Sequence, residues 1–211
     1  MSTLIKKIIV TTSMEVITGI HIGGSKETVE IGGIDNPVIR AFVKDNQPYI
    51  PGSSLKGKIR SLLEQIDGIS KIGGSETINS VFGGGNDLLK SKLIVRDAYL
   101  SNESVNLLKS KESLDMPFTE AKWENNINRV NSKADPRQTE RIPAGVFFDV
   151  EFVINVWDND EDGKKSVDML QKGIKALEND YLGGSGSRGY GQVRFSELKK
   201  EEIRFESYFN A

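Results

Sequence analysis

One segment constrains the fold of this chain more than any other. From residue 146 to residue 156 every second side chain is apolar, in the order Val146, Phe148, Val150, Phe152, Ile154 and Val156. Successive side chains of a β-strand point to opposite faces, so this alternation predicts a long strand with one buried face. The chain must therefore build a sheet that is covered on one side.

The segments around this strand predict the rest of a core. They are a strand at 6–17, a helix at about 53–65, a strand at 93–100, a helix with an apolar stripe over 167–181, and a last strand at 192–196. We expect Ser53 or Ser54 to cap the first helix and Gly183-Gly184 to end the second. The order strand, helix, strand, strand, helix, strand is typical of the α+β class with a ferredoxin-like (RRM-like) βαββαβ core.

The length of 211 residues favours a single domain with insertions. The core is expected at about 4–66, 92–100 and 142–200. A glycine-rich, partly helical insertion is expected at about 67–91, and a polar, irregular insertion at about 101–141.

Composition excludes several kinds of site. The chain has no cysteine and one histidine, His21, which excludes thiol nucleophiles, iron–sulfur clusters, Cys-ligated zinc and a multi-histidine metal site. No apolar run approaches the length of a membrane span, and the first residues do not form a signal peptide. We therefore expect a cytoplasmic protein with no membrane partner.

Two glycine motifs resemble nucleotide-binding sequences but lack their context. Residues 52–58 match G-x-x-x-x-G-K, but Ile59 stands where a P-loop needs a Mg²⁺-binding Ser or Thr. Residues 184–189 match G-x-G-x-x-G, but they follow a predicted helix and precede a predicted strand, the reverse of the dinucleotide fingerprint. Neither predicts a nucleotide site.

Basic residues in two other places suggest anion binding. Lys56 and Arg60 share one helix face near a predicted N-terminus, where Ser54 adds a hydroxyl and backbone N–H groups favour an anion. A capped helix with a solvated basic face explains these residues equally well. In the loop 183–191, Gly186 and its neighbouring glycines permit close approach of a ligand to Arg188, although a flexible connection is the alternative.

Three further positions have both a functional and a structural interpretation. Residues 117–145 interleave Trp123 with Arg129, Arg137 and other basic side chains, which suits RNA stacking and phosphate binding but also an exposed hairpin. Asp35 precedes Asn36-Pro37, where an Asx turn is the common structural role. A single histidine such as His21 is most often a hydrogen-bonded structural group.

Taken together, these segments resemble one family along nearly the whole chain. The matching strings are HIGGS (21–25), GIDNPV (33–38), IPGSSLKGKIR (50–60), VFG (81–83), ADPRQTERIPAG (134–145) and GGSGSRGYGQV (183–193). They resemble the Csm-type repeated backbone subunit of type III-A CRISPR effector complexes, in the RAMP superfamily.

This resemblance implies a fold, partners and an activity. The fold is an RRM-like core with a lid, a helical insertion and a protruding thumb at about 118–141. Such subunits form a helical filament of identical copies along a CRISPR RNA, together with other Csm subunits that include the large polymerase-like subunit. The thumb kinks the duplex of guide and target RNA at regular spacing, and the target is cleaved at each kink.

The resemblance also assigns roles to single residues. Asp35 matches the catalytic aspartate, which acts with a divalent metal, Mg²⁺ or Mn²⁺. RNA-binding roles fall on the loop residue Gly186, on the thumb residues Arg129 and Arg137, and on the positions that hold the guide backbone, which are His21, Ser54, Lys56, Arg60 and Arg188.

The chemistry is consistent with so small a site. RNA supplies its own nucleophile, the 2′-hydroxyl, and a carboxylate with an ordinary pKa near 3.9 is a weak base at neutral pH. Asp35 is therefore expected to hold a hydrated metal ion or to orient the hydroxyl. The products should carry a 2′,3′-cyclic phosphate and a 5′-hydroxyl.

Three other functions remain open at the level of sequence. They are a non-cleaving architectural subunit of the same superfamily, a nuclease that processes CRISPR RNA, and a nucleotide- or metabolite-binding domain. The processing nuclease is disfavoured because such enzymes usually use histidine chemistry and only His21 is available.

Overall fold

The computed structural model describes most of the chain, namely residues 2–24, 34–71, 73–84, 90–111, 114, 116–127 and 129–205. Ser25 and Gly33, which belong to two of the motifs above, lie outside the described residues.

An antiparallel sheet of eight strands forms the centre of the fold. Its strands are β1 (Leu4–Val16), β2 (Arg40–Ala41), β3 (Gln47–Ile50), β4 (Leu93–Val95), β5 (Ala98–Leu100), β8 (Phe147–Trp157), β9 (Val193–Phe195) and β10 (Lys199–Arg204). Their order is β10-β1-β8-β5-β3-β2, with β9 also pairing with β1 and β4 with β8. Two more strands, β6 (Glu120–Ile127) and β7 (Ala134–Arg141), form a separate hairpin.

Four helices complete the described structure: α1 (Gly52–Ile66), α2 (Glu76–Phe82), α3 (Asn102–Ser110) and α4 (Lys164–Glu178). Helices α1 and α4 pack against each other through buried side chains such as Ile59 and Ile174. They cover the sheet face that carries the even-numbered residues of β1 and β8, where Val10 pairs with Phe152. The long alternating strand is thus the middle of the core.

The predicted ferredoxin-like core is confirmed. Its elements, in chain order, are β1, α1, the β4–β5 segment, β8, α4 and β9. In the sheet β1 pairs with both β8, the third core strand, and β9, the last core strand. This is the arrangement of two split βαβ units. Strands β2, β3 and β10 extend the sheet beyond the core.

The predicted helix ends were wrong at two places. The first helix begins at Gly52 after Pro51, so Ser53 and Ser54 lie inside its first turn, and no side chain of the N-cap residue forms a capping bond. Asp97 from another segment accepts the Gly52 N–H instead, at 2.8 Å, so a carboxylate already occupies this end of the helix. Helix α4 ends at Glu178, before Gly183-Gly184.

The insertion at 101–141 is more regular than the sequence indicated. It begins with α3, whose N-cap Ser101 accepts the N–H of Ser104, and continues into the β6–β7 hairpin. The hairpin has eight residue pairs, from Glu120 opposite Arg141 to Ile127 opposite Ala134. Backbone pairing gives this segment much of its order, because half of the side chains of β7 are exposed.

The membrane prediction can be compared with the helices. None of the helices in the described residues combines the length and the apolar character that a bilayer crossing requires.

Candidate nucleic-acid interface

A cleft of about 480 Å³ lies where three parts of the chain meet. Its walls are the β6–β7 hairpin, the segment that contains Asn36, and the glycine-rich loop 183–191 with Arg188. The charged side chains that line it are Lys122, Glu124, Asp135, Arg137 and Arg188. The cleft therefore brings together three regions that are spread over about 150 residues of the sequence, from Asn36 to Arg188.

Asp35 lies next to this cleft with an exposed side chain. One of its carboxylate oxygens, Oδ2, accepts the backbone N–H of Gln138 on β7 at 3.1 Å. The following residue, Asn36, forms a parallel bridge with Thr139, and its carbonyl accepts the N–H of Glu140 at 3.1 Å. The loop of Asp35 is thus attached to the base of the hairpin, and its carboxylate stays open to solvent.

Glu140 is the buried group behind this attachment. Its side chain is 4% exposed and forms an ion pair with Arg40. It also accepts the Thr119 hydroxyl at 2.6 Å and the Val38 N–H at 2.7 Å. Buried carboxylates need such partners, and these join the segment that follows Asp35 to the hairpin. Sequence reasoning missed Glu140 and Arg40, because no short-range pattern links residues a hundred positions apart.

The basic side chains of the cleft are paired with acids of the hairpin. Arg188 lies 2.8 Å from a carboxylate oxygen of Glu124, and Arg137 lies 2.9 Å from Asp135. Lys122 is 3.6 Å from Glu124. The arginine side chains remain more than half exposed. Arg137 and Asp135 are both exposed, and such ion pairs contribute about 0–1 kcal/mol, so an incoming phosphate can replace Asp135 at small cost.

Tyr190 lies beneath this group and was not predicted as a site residue. It is 1% exposed, with the Lys122 ammonium 4.2 Å and the Arg141 guanidinium 5.3 Å from its ring centre. Burial, followed by the neighbouring Glu124 carboxylate, raises the pKa of Tyr190 to about 12. The phenol is therefore protonated at neutral pH and supports the hairpin and the loop as a packed, uncharged ring.

The glycine-rich loop is packed against His21. A short 3₁₀ turn, Gly186–Arg188, carries Arg188, and the Gly184 N–H donates to the His21 carbonyl at 2.8 Å. Gly186 lies against the ring of Tyr181, where a methyl group would come within 2.0 Å of the ring. This close approach within the chain gives Gly186 a structural role whether or not RNA also approaches it.

Helix α1 holds the other predicted residues in a different environment. Lys56 is half-buried and donates to the Ser91 hydroxyl at 2.6 Å and to the Leu93 carbonyl at 2.9 Å. Burial, with a smaller contribution from the charge of Arg60, lowers the pKa of Lys56. The structure does not place Lys56 beside the cleft.

Arg60 is used within the chain. Its three guanidinium nitrogens donate to the Glu64 carboxylate at 2.9 Å, the Gly83 carbonyl at 2.9 Å and the Asn79 side chain at 2.7 Å. These bonds fix α2 against α1. A phosphate contact by Arg60 would have to replace them, so the RNA-binding role of Arg60 stays a prediction without geometric support.

The structure therefore brings some of the predicted residues together and separates others. Asp35, Arg137 and Arg188 meet at the cleft, and His21 is joined to it because its Nδ1 atom lies 2.7 Å from the Glu140 carbonyl oxygen. Arg129 lies in the turn between β6 and β7. Ser54, Lys56 and Arg60 form a second group on α1.

The carboxylates at the cleft could supply only part of the ligands of a metal ion. The described residues contain no group of three or more His, Asp or Glu side chains arranged to hold a metal. Asp35 offers one exposed carboxylate, and Asp135 stands at the cleft as well. Asp135 is paired with Arg137, so Asp35 is the carboxylate that could hold Mg²⁺, which usually takes one or two protein carboxylates and completes its shell with water and phosphate oxygens.

Comparison with known proteins identifies the family to which this chain is similar. The sequence profile of the RAMP superfamily matches residues 13–194. The chain is 41% identical over 223 aligned residues to the CRISPR system Cms endoribonuclease Csm3 of Methanothermobacter thermautotrophicus, covering 96% of this chain and 89% of that protein. It is 42% identical to the Streptococcus thermophilus protein of the same name, covering 88% of this chain and 86% of that protein.

Solved structures have the same fold. A Csm3–Csm4 subcomplex of the type III-A CRISPR-Cas interference complex contains a chain that is 33% identical, with a TM-score of 0.64 over 99% of this chain and 86% of that chain. A chain of the type III-B Cmr-β complex bound to cognate target RNA is 19% identical, with a TM-score of 0.66 over 94% of this chain and 61% of that chain. The second likeness supports the fold alone.

Proposed function

Because this chain belongs to the RAMP superfamily and, within it, to the Csm3 proteins, we propose that it is the endoribonuclease subunit of a type III-A CRISPR complex. In this role it binds CRISPR RNA, assembles with further copies of itself and with other Csm subunits, and cleaves the target RNA that pairs with the guide. The observation that carries the proposal is the sequence likeness to Csm3 endoribonucleases over nearly the whole chain, joined with an exposed Asp35 beside the cleft that holds Arg137 and Arg188.

Asp35 is proposed to act on the target strand. Its loop is fixed to the hairpin through Gln138, Asn36 and Glu140, so the carboxylate keeps a defined position relative to an RNA strand lying in the cleft. If the hairpin displaces a nucleotide from the duplex, its 2′-hydroxyl can align with the adjacent phosphate. The 2′-oxygen then forms a bond to phosphorus and loses its proton, the bond to the 5′-oxygen breaks, and that oxygen takes up a proton. Positioning of this kind supplies much of the catalysis.

A divalent cation, Mg²⁺ or Mn²⁺, is proposed to be held by Asp35, with water and RNA oxygens as the remaining ligands. When bound, it supplies positive charge that offsets the charge developing on the phosphate. The contribution of the protein is one hard oxygen ligand in a fixed loop, so the affinity for the metal should be weak.

Arg188, Arg137 and Lys122 are proposed as the phosphate-binding groups of the cleft. Each is already beside a carboxylate at 2.8–3.6 Å, so an RNA phosphate can occupy a position that an acid of the hairpin now holds. His21 and the α1 residues Ser54 and Lys56 would extend this contact along the guide backbone. Recognition through phosphates does not depend on base sequence.

Removal of metal tests the cleavage reaction directly. In an assembled complex with labelled target RNA, excess EDTA should reduce cleavage to background, and added Mg²⁺ or Mn²⁺ should restore it. The 5′ fragments should end in a 2′,3′-cyclic phosphate and the 3′ fragments should begin with a 5′-hydroxyl, as end-labelling before and after phosphatase treatment would show. Undiminished cleavage in EDTA would contradict the metal, and bound but uncut target under all conditions would favour a purely architectural subunit.

The RNA-binding part of the proposal has its own test. Arg188→Ala should weaken binding of unrelated single-stranded RNAs by the same factor. The slope of the logarithm of the binding constant against the logarithm of salt concentration should become shallower by about 0.7, the value for one lost phosphate contact. Arg204→Ala, on the edge strand β10, is a matched arginine control that should leave both quantities unchanged. An effect of Arg188→Ala on one RNA sequence only would contradict this role.

A further inference from the structure

Glu124, on strand β6, is the less exposed of the two acids that line the cleft. Its side chain is 16% exposed, whereas that of Asp135 is 59% exposed. Its Oε2 atom lies 2.8 Å from Nη1 of Arg188, and its Oε1 atom lies 3.6 Å from Nζ of Lys122. One carboxylate thus stands between a guanidinium and an ammonium group, a place that two oxygens of a phosphate could equally take.

Arg188 uses both of its terminal nitrogens within the chain. Nη1 faces Glu124, and Nη2 donates to the Ser185 hydroxyl at 2.8 Å. Because Glu124 is largely buried, its carboxylate has already lost much of its water. Separating it from Arg188 without a new partner is therefore less favourable than breaking a fully exposed ion pair. An RNA phosphate that binds Arg188 has to overcome this contact.

The Tyr190 hydroxyl offers Glu124 a second position. Its oxygen is buried and has no hydrogen-bond partner among the described residues. Native proteins rarely leave a buried hydroxyl unpaired, because the group has given up its bonds to water. Burial, and then the nearby Glu124 carboxylate, raise the pKa of Tyr190, so the phenol keeps its proton and can donate it. A carboxylate that moves from Arg188 to this hydroxyl would give both groups a partner.

We propose that Glu124 competes with RNA for Arg188: it holds the guanidinium in the RNA-free chain and passes to the Tyr190 hydroxyl when a guide phosphate binds Arg188. The proposal rests on the function proposed above, because it needs RNA in the cleft. Tyr190 belongs to the same loop as Arg188, so the hairpin stays attached to that loop in both positions of the carboxylate. The competition disfavours RNA that reaches Arg188 alone and favours a strand that occupies the whole cleft.

Removal of the charge at Glu124 tests the competition. Glu124→Gln keeps the shape of the side chain and removes its attraction for Arg188, while the amide oxygen can still accept from Tyr190. The full chain is titrated with two single-stranded RNAs of unrelated sequence. The variant should bind both about five-fold more tightly than the wild type, the value of one ordinary hydrogen bond. Asp135→Asn removes the same charge from an exposed position in the same cleft, so this matched control should give a smaller gain.

A double-variant cycle separates this competition from a general effect of charge. If Glu124 acts by holding Arg188, Glu124→Gln should leave the RNA affinity unchanged in a chain that already carries Arg188→Ala. An equal gain in that background would show that the acid only repels RNA at a distance, and the proposal would be overturned. Weaker RNA binding by Glu124→Gln alone would also overturn it, because the carboxylate would then orient Arg188 for the phosphate.

Tyr190→Phe tests the second position of the carboxylate. Loss of an unpaired hydroxyl should not lower the melting temperature of the RNA-free chain, because the ring and its packing are kept. RNA affinity should fall about five-fold, since the displaced Glu124 no longer finds this donor. A lower melting temperature with unchanged RNA affinity would make the hydroxyl purely structural and overturn the proposal. A wild-type chain that binds neither RNA would overturn the proposed function itself, which the other outcomes leave standing.

Discussion

Asp35→Ala is expected to reduce cleavage of the target RNA to background while guide and target still bind. The side chain is exposed and has one hydrogen bond to the described residues, from the Gln138 N–H, so its removal should change the free energy of unfolding by no more than about 0.5 kcal/mol. The phosphate contacts proposed for Arg188 and Arg137 do not involve it. The assay is a labelled target RNA on the assembled complex, with binding measured separately.

Asp35→Asn distinguishes catalysis from a structural role. The amide oxygen can still accept the Gln138 N–H, so the loop should keep its shape, but an amide is a poor ligand for a hard cation. We expect this variant to be as inactive as Asp35→Ala. Asp45→Asn is the matched control, because Asp45 is also an exposed aspartate on a different turn, paired with Lys109, and asparagine tolerates its φ of +50°. Full cleavage by Asp35→Asn would show that the residue only forms a turn.

Shortening the hairpin should also abolish cleavage at regular intervals. The structure suggests a defined variant in which Asn-Gly replaces residues 124–137 and joins Trp123 to its partner Gln138. A two-residue type I′ turn closes such a pair without strain. This variant retains the base of the hairpin, which includes Glu140 and the Gln138 N–H that donates to Asp35. The core should therefore fold normally.

Regular cleavage should be lost because the removed part of the hairpin forms one wall of the cleft and is the segment proposed to displace a nucleotide from the duplex. Circular dichroism and melting temperature report the fold, and the pattern of cleavage products reports the activity. Arg129→Ala, in the turn that the variant removes, is the control for loss of a single charge. A normal ladder of products from the shortened chain would contradict the role of the hairpin.

The core was predictable because its signals are local and regular. Strands β1 and β8 each bury every second side chain, and the stripe of α4 has helical spacing, so periodicity alone located them. The family resemblance, which the comparisons confirm, supplied Asp35 and Arg188 as site residues. Composition and spacing alone favoured a turn-forming aspartate over a catalytic one.

The missed elements had weak signals of a different kind. Strand β10 has the sequence KKEEIR and is almost entirely exposed, so it has no apolar alternation. Helix α3 is short, and its main signal was the capping Ser101. The β6–β7 hairpin depends on backbone pairing between two polar segments, and the contact of Arg40 with Glu140 joins residues that only the tertiary fold brings together.

The two edges of the sheet matter for the assembly proposed above, in which copies of this chain lie side by side on one RNA. One edge is β10, with two lysines followed by two glutamates, and the other is β2, which is only two residues long. Unpaired strand edges bind each other, and charged or very short edge strands prevent this. Copies held on one RNA have a high effective concentration, which would otherwise promote such pairing. The sheet is thus built so that crowding along an RNA does not lead to aggregation, and the order of the copies is left to the RNA and to side-chain contacts.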